Sequence, residues 1–258
     1  MDFRPPRPSR RSVAVWRRNA LVWRKLWVPS LLGNFGDPLL YLLGIGYGLG
    51  GFIGQVNGMP YVSFFASGLV CANAMNTATF EALYSAFTRM AMQKTWDGML
   101  AAPLLLDDVV LGEIGWAATK SLLTGSIILA VAAALGAIGG VGMLAVPPLI
   151  FLTGLCFGSI ALVVTVVSPS YDFFLYYFTL AVTPMFLFCG VFFPLSSLPA
   201  GARWVTSALP LTHAVELMRP LLTGSVPEHA FRNVAVLATY AVVFGYLAVV
   251  LARRRMIT

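Results

Sequence analysis

Residues 81–120 read EALYSAFTRMAMQKTWDGMLAAPLLLDDVVLGEIGWAATK and hold five of the chain's ten acidic residues. Long apolar runs flank the stretch, about 60–82 before it and 117–138 after it. Runs of roughly 20 apolar residues are long enough to cross a bilayer. A polar, structured segment held between two such runs has to sit in water, where it can meet a partner. Its middle, QKTWDGMLAAPL, starts polar, carries an apolar ridge of Trp96, Met99 and Leu100, and is broken at Pro103. The pattern predicts a short helix with Trp96 exposed. Asp107 and Asp108 open a second helix, where negative charge suits the helix dipole. They read as N-capping, solvated charge, because adjacent helical residues point about 100° apart and make a poor acid–base pair. The loop 84–116 reads as a docking surface that faces the cytoplasm.

Outward from this stretch, the chain is mostly apolar. Of 258 residues, 59% are hydrophobic and 10% charged, against about 25% charged in soluble domains. Too little polar surface remains to cover a globule, so much of the solvent must be lipid. The apolar runs are continuous and longer than the alternating strands of roughly ten residues that a membrane barrel uses. Helices, which satisfy their own backbone in hydrocarbon, are expected instead. The net charge of +7 fits the Lys and Arg that collect at cytoplasmic membrane boundaries. No nucleic-acid-binding motif accompanies it. Cys71, Cys156 and Cys189 all fall in apolar runs and read as packing residues. His213 and His229 have no ligand-like spacing, so no metal site is expected.

The Pro- and Arg-rich residues 1–11 are expected to be disordered. In 12–28, SVAVWRRNALVWRKLWV, basic pairs recur every seven residues, and Trp16, Trp23 and Trp27 fall on another face. That pattern predicts an amphipathic helix lying at the membrane surface, its basic face toward anionic lipid. Six spans follow at about 31–53, 60–82, 117–138, 145–167, 173–193 and 232–252. Asp37-Pro38 resembles a helix start, and Gly44/Gly48 and Gly46/Gly50 read as close-packing pairs. Glu81 and Arg89 mark a return to water, and Lys120 is placed to snorkel. Span five is aromatic and carries Pro184, which should kink it. The segment 194–230 is broken by five prolines into pieces too short to cross. It reads as two short re-entrant helices, with His213, Glu216 and Arg219 as a polar edge at helical spacing. Eight of the 17 Lys and Arg precede span one and three follow span six. Both termini are therefore expected in the cytoplasm.

The chemistry that is missing is informative. No G-x-x-x-x-G-K-[ST], G-x-S-x-G or H-E-x-x-H occurs. Ion-coupled carriers usually hold ionisable groups deep in the membrane, and here Asp37, Glu81 and Lys120 lie near span ends. No catalytic residue and no cofactor is expected on this chain, so any uphill transport must be powered by another subunit.

DPLLYLLGIGYGLG, KTWDGMLAAPLLLDDVVLGE and FPLSSLPAGARWVTSALPLTHAVELMRPLLTG resemble the ABC-2 family of transporter permeases, the membrane subunits of ATP-driven exporters. The likeness covers about residues 29–255, and the third piece is the most specific. Within the family the chain looks most like the nodulation group, which exports lipo-chitooligosaccharide with a separate ATPase, nodulation protein I. The resemblance implies an all-α integral membrane protein. Its parts are a cytoplasmic tail and elbow helix at 1–28 and a transmembrane domain at 29–255, with six spans, a coupling helix near 93–103 and re-entrant helices at 194–224. It also implies a homodimer in the bacterial inner membrane that carries two ATPase subunits, with ATP and Mg bound by those partners. The family's coupling role falls on Lys94, Trp96, Asp97, Met99, Leu100 and Pro103. The aromatic residues of span five, among them Tyr176, Tyr177, Phe186 and Phe188, are candidates for the path of an amphiphilic substrate. Other amphiphiles (a polysaccharide, glycolipid or drug) are alternative cargoes. A membrane-embedded lipid or sugar transferase built on Glu216, His213 and Arg219, or a passive channel, are the rival readings.

Overall fold

The computed structural model describes residues 4–7 and 9–257, with side chains at all of these except 31–35 and 257. Positions 1–3 and 8 of the expected tail lie outside the described residues. The chain is helical almost throughout. Helix α1 (Ser12–Lys25) leads into α2 (Trp27–Tyr41), which continues through a π-helical segment, Leu42–Leu49, into α3 (Gly50–Ile53). A two-residue hairpin, β1 (Gln55–Val56) and β2 (Met59–Pro60), turns the chain. Its turn residues Asn57 and Gly58 both have positive φ, as a type I′ turn requires. Helix α4 (Tyr61–Phe80) runs back and is prolonged by π turns at Glu81–Ser85 and Thr88–Met92. After α5 (Thr95–Leu100) come α6 (Leu106–Ala134) and α7 (Val146–Val167). Then follow α8 (Asp172–Tyr177), α9 (Thr183–Phe188), α10 (Ala200–Ala208), α11 (Pro210–Thr223) and α12 (Ala230–Ile257).

Among the described residues, Leu106–Ala134, Val141–Val167 and Ala230–Met256 are long and apolar enough to cross a membrane by length and composition. The helices alternate in direction. The Arg253 guanidinium donates to the Arg4 carbonyl and to Asp107 at the start of α6. Arg255 donates to carbonyls at the end of α7, including Ser168 at 2.7 Å. These contacts gather both ends of the chain at one end of the bundle, the termini end. At the far end, the Gly139 N–H bonds the Leu222 carbonyl, and the Tyr47 hydroxyl bonds the Leu135 carbonyl.

Small residues set the helix spacing. A Cβ on Gly154 of α7 would come within 2.8 Å of the Ala118 Cα on α6, and one on Gly125 within 2.8 Å of Ile150. Gly112 does the same for α1, because a Cβ there would lie 2.6 Å from the Val15 Cβ. Two apolar clusters fill the interior. One lies around Phe64, Phe65, Ile150, Phe157 and Leu211, and the other around Leu83, Phe87, Leu162, Phe174 and Val249.

Several local expectations need correction. The tail is not loose where it is described, because the Arg7 N–H donates to Asp107 at 2.9 Å and Arg11 to the Pro103 carbonyl at 2.6 Å. Pro38 starts no helix, since it lies inside α2, which begins eleven residues earlier. Of the glycines at 44–51, Gly46 meets Phe65 and Leu42 and Gly50 touches Tyr61, whereas Gly44 and Gly51 face open space. Trp16 and Trp23 face protein: Trp16 donates to Thr119 on α6, and Trp23 stacks edge-on against Trp116. Only Trp27 of the three is exposed. Pro184 sits just after a π turn at Phe178–Val182, a way of accommodating the proline's missing N–H without ending the helix.

Candidate functional site

Helix α5 is short because its sequence permits nothing longer. Lys94 precedes it in a left-handed conformation with φ 50°, which costs a side-chain-bearing residue free energy and stops a helix from extending backward. Pro103 blocks it forward, and Leu105 is extended before α6 begins. At the start of α6 the Leu105 N–H is capped by Asp108, 3.0 Å away.

Under α5 lies a cluster of buried charge. Glu113 of α6 takes hydrogen bonds from Arg89 (2.9 Å), from the Asn19 amide on α1 (3.1 Å) and from the Trp96 indole on α5 (3.3 Å). Glu81 takes hydrogen bonds from Arg89 (2.9 Å), the Trp116 indole (3.0 Å) and Lys120 (2.9 Å). Glu81 and Glu113 are both buried, and Trp96 is 0% exposed. Four elements thus meet at two carboxylates: α1, the prolongation of α4, α5 and α6. Burial works against the Arg89 charge, but Glu113 and then Glu81 outweigh it and hold the guanidinium pKa above its ordinary value.

These positions correct four expectations. Trp96 is enclosed rather than exposed, because its ring fills the apolar cluster and its N–H needs the Glu113 acceptor. Glu81 and Arg89 do not return to water, since each satisfies the other. Lys120 does not snorkel, because Glu81 lies 2.9 Å from its ammonium. Asp107 and Asp108 are not solvated: both are buried, and Asp107 is held by Arg253 and the Arg7 N–H. Except for Glu81 and Arg89, eight positions apart, these partners lie 17 or more positions apart in the chain, which spacing alone does not reveal.

The other expected coupling residues divide by exposure. Lys94, Asp97 and Pro103 are exposed, while Met99 and Leu100 are half-buried against the cluster that holds Trp96. The surface open to a partner is therefore Lys94, Asp97, Gly98 and 101–103.

The expected substrate path is scattered. Tyr176 and Phe188 point outward and Tyr177 is half-buried. Phe186 lines a cleft of about 380 Å³ between α2, α4 and the α8–α9 helix, together with Asp37, Asn73, Thr77, Phe80 and Phe178. The buried Asn73 Oδ1 has no hydrogen-bond partner among the described residues. Asn73, Asn76 and Thr77 stand at i, i+3 and i+4 within an apolar helix, a pattern the sequence does carry.

The polar edge of α11 does not act as one site. His213 bonds Asn233, 2.9 Å away, and Glu216 accepts from Arg232 and Asn233. Arg219 turns elsewhere, donating to the Ser67 hydroxyl (3.0 Å) and to the Phe64 (3.2 Å) and Gly190 (2.6 Å) carbonyls. Among the described residues no group of three or more His, Cys, Asp or Glu is placed to hold a metal ion.

Residues 11–223 match the family model described as ABC-2 type transporter. Nodulation protein J of Rhizobium meliloti (strain 1021) is 45% identical over 244 residues, 95% of this chain and 93% of that one. Nodulation protein J of Bradyrhizobium diazoefficiens is 46% identical over 244 residues, again 95% and 93%. The Inner membrane transport permease YadH of Escherichia coli (strain K12) is 22% identical over 231 residues, 90% of each chain.

Proposed function

This chain belongs to the ABC-2 type transporter family, and from that premise we infer that it is the membrane permease of an exporter of lipo-chitooligosaccharide Nod factors. The near full-length likeness to relatives named Nodulation protein J supports this cargo. A separate ATPase of the nodulation protein I kind supplies the energy, in two copies on a homodimer of this chain. The bundle crosses the bacterial inner membrane six times with the termini end in the cytoplasm, and α10 and α11 lie at the outer face as re-entrant helices. The glycine face at Gly44, Gly48 and Gly51, which meets no side chain of another helix, is suited to a second copy.

The observation that carries the mechanism is the hydrogen bond from Trp96 to Glu113. It fixes α5 to the same carboxylate that holds α1 and Arg89. A push on the exposed side of α5 cannot stay local, because the buried indole moves Glu113 and with it α6 and the base of α4. The ATPase closes on ATP, α5 follows, and the paired bundles open a path outward. A lipid-tailed sugar suits a cleft where polar Asp37, Asn73 and Thr77 face aromatic Phe80, Phe178 and Phe186.

The test combines this chain and its ATPase in proteoliposomes. Trp96→Ala with Met99→Asp should leave ATP hydrolysis running while export of labelled lipo-chitooligosaccharide falls to background. Full export by that variant overturns the coupling role. Export of other amphiphiles but not of this one by the wild type overturns the cargo.

A further inference from the structure

A second pocket, of about 310 Å³, opens between α1, the prolongation of α4 and α6. Arg18, Arg89 and Lys120 reach its wall, with Trp23, Trp116 and the apolar side chains of Val22 and Leu26 beside them. The local charges do not balance. Arg89 and Lys120 are matched by Glu81 and Glu113. Arg18 is half-buried and donates a hydrogen bond to the neutral Asn19 side chain, 3.0 Å away. Among the described residues no carboxylate lies within ion-pair distance of Arg18. Burial, and then the charge of Arg89, press its pKa below the ordinary guanidinium value, with Glu113 opposing.

A half-buried site with one cation in excess is completed by an anion. The apolar and indole walls beside the cations tell what kind. A free anion has no use for Val22, Leu26 and Trp23, whereas a phosphate carried on acyl chains uses both halves. We propose that this pocket binds the headgroup of an anionic phospholipid, with the phosphate at Arg18 and the chains along Val22, Leu26 and Trp23. This differs from a diffuse attraction to the basic face of α1, because Arg17, one residue away, is exposed and lines no part of the pocket.

The full chain, co-expressed with its ATPase, is purified in detergent containing equal amounts of phosphatidylglycerol and phosphatidylcholine. Native mass spectrometry reads the lipid retained. The wild type should favour phosphatidylglycerol by about tenfold, the ratio expected for one recovered charge-assisted contact. Arg18→Gln should bring the ratio near parity, and Arg17→Gln should leave it. Parity in the wild type, or an equal fall in both variants, overturns the pocket. Displacement of the lipid by inorganic phosphate overturns the lipid and leaves a bare anion site. Should Arg18→Gln fail to fold, photo-crosslinking of a diazirine-bearing phosphatidylglycerol to the wild type decides. Crosslinks at Val22–Leu26 support the site, and crosslinks confined to other helices overturn it.

Discussion

The two ends of the bundle solve the problem of a buried arginine in opposite ways. At the termini end, Arg89 meets two carboxylates, and each carboxylate is shared with other helices. Toward the far end, half-buried Arg219 has no carboxylate among the described residues and rests on two carbonyls, a hydroxyl and the face of Phe64, 3.7 Å from the ring centre. A matched pair is costly to break, because removing one partner leaves the other charged and buried. A cation held by neutral dipoles leaves only neutral groups behind, which cost less to strand. The matched charges make the termini end costly to take apart. Arg219 joins α11 to α4 and to the turn at Gly190, and that clasp holds no second charge to strand.

Arg89→Met should separate the two ends most clearly. It strands Glu113, which loses its cation, and leaves Glu81 with Lys120 alone, and a loss of about 3–5 kcal/mol is expected. Thermal unfolding in detergent and the level of chain in the membrane both report it, and wild-type stability would break the comparison. Adding Glu113→Gln to Arg89→Met should return part of that loss, which a double-mutant cycle measures. Arg219→Met should cost less, about 1–3 kcal/mol, and a cost equal to that of Arg89→Met would erase the contrast. Gly112→Ala drives a Cβ into Val15 and should cost roughly 1–3 kcal/mol by overpacking. Limited proteolysis should then find α1 released from α6, while the far end keeps its protection. Asp97→Lys, on the exposed side of α5, should change stability by less than about 0.5 kcal/mol. Its effect should appear as lost stimulation of the ATPase by this chain. Unchanged stimulation would remove Asp97 from the contact surface.

Much of the architecture was legible in the sequence. The long apolar runs announced the helices, and Pro103 bounded α5. The side chains of the site were harder. Trp96 beside Lys94 and Asp97 reads as surface, since nothing local says that an indole 17 positions from Glu113 will be enclosed with it. The six cations and three tryptophans of residues 10–28 read as a membrane surface, but Trp16 and Trp23 turn toward partners on α6, Thr119 and Trp116, that lie about a hundred positions away. Charge partners such as Asp107 and Arg253 depend on how the helices are arranged, and periodicity within one segment carries no record of that.

Asp107 and Arg253 are separated by 146 residues. A ribosome that has made α6 must therefore produce most of the remaining chain before that carboxylate finds its guanidinium. The amino-terminal segment, made first, is fastened in two stages: Arg7 can bond Asp107 once α6 has begun, whereas the Arg4 carbonyl waits for Arg253. Premature termination a few codons short of Arg253 would leave nearly all the hydrophobic mass intact and still deprive buried Asp107 of its counter-charge, so quality-control proteolysis should recognise a chain that lacks only its last few residues.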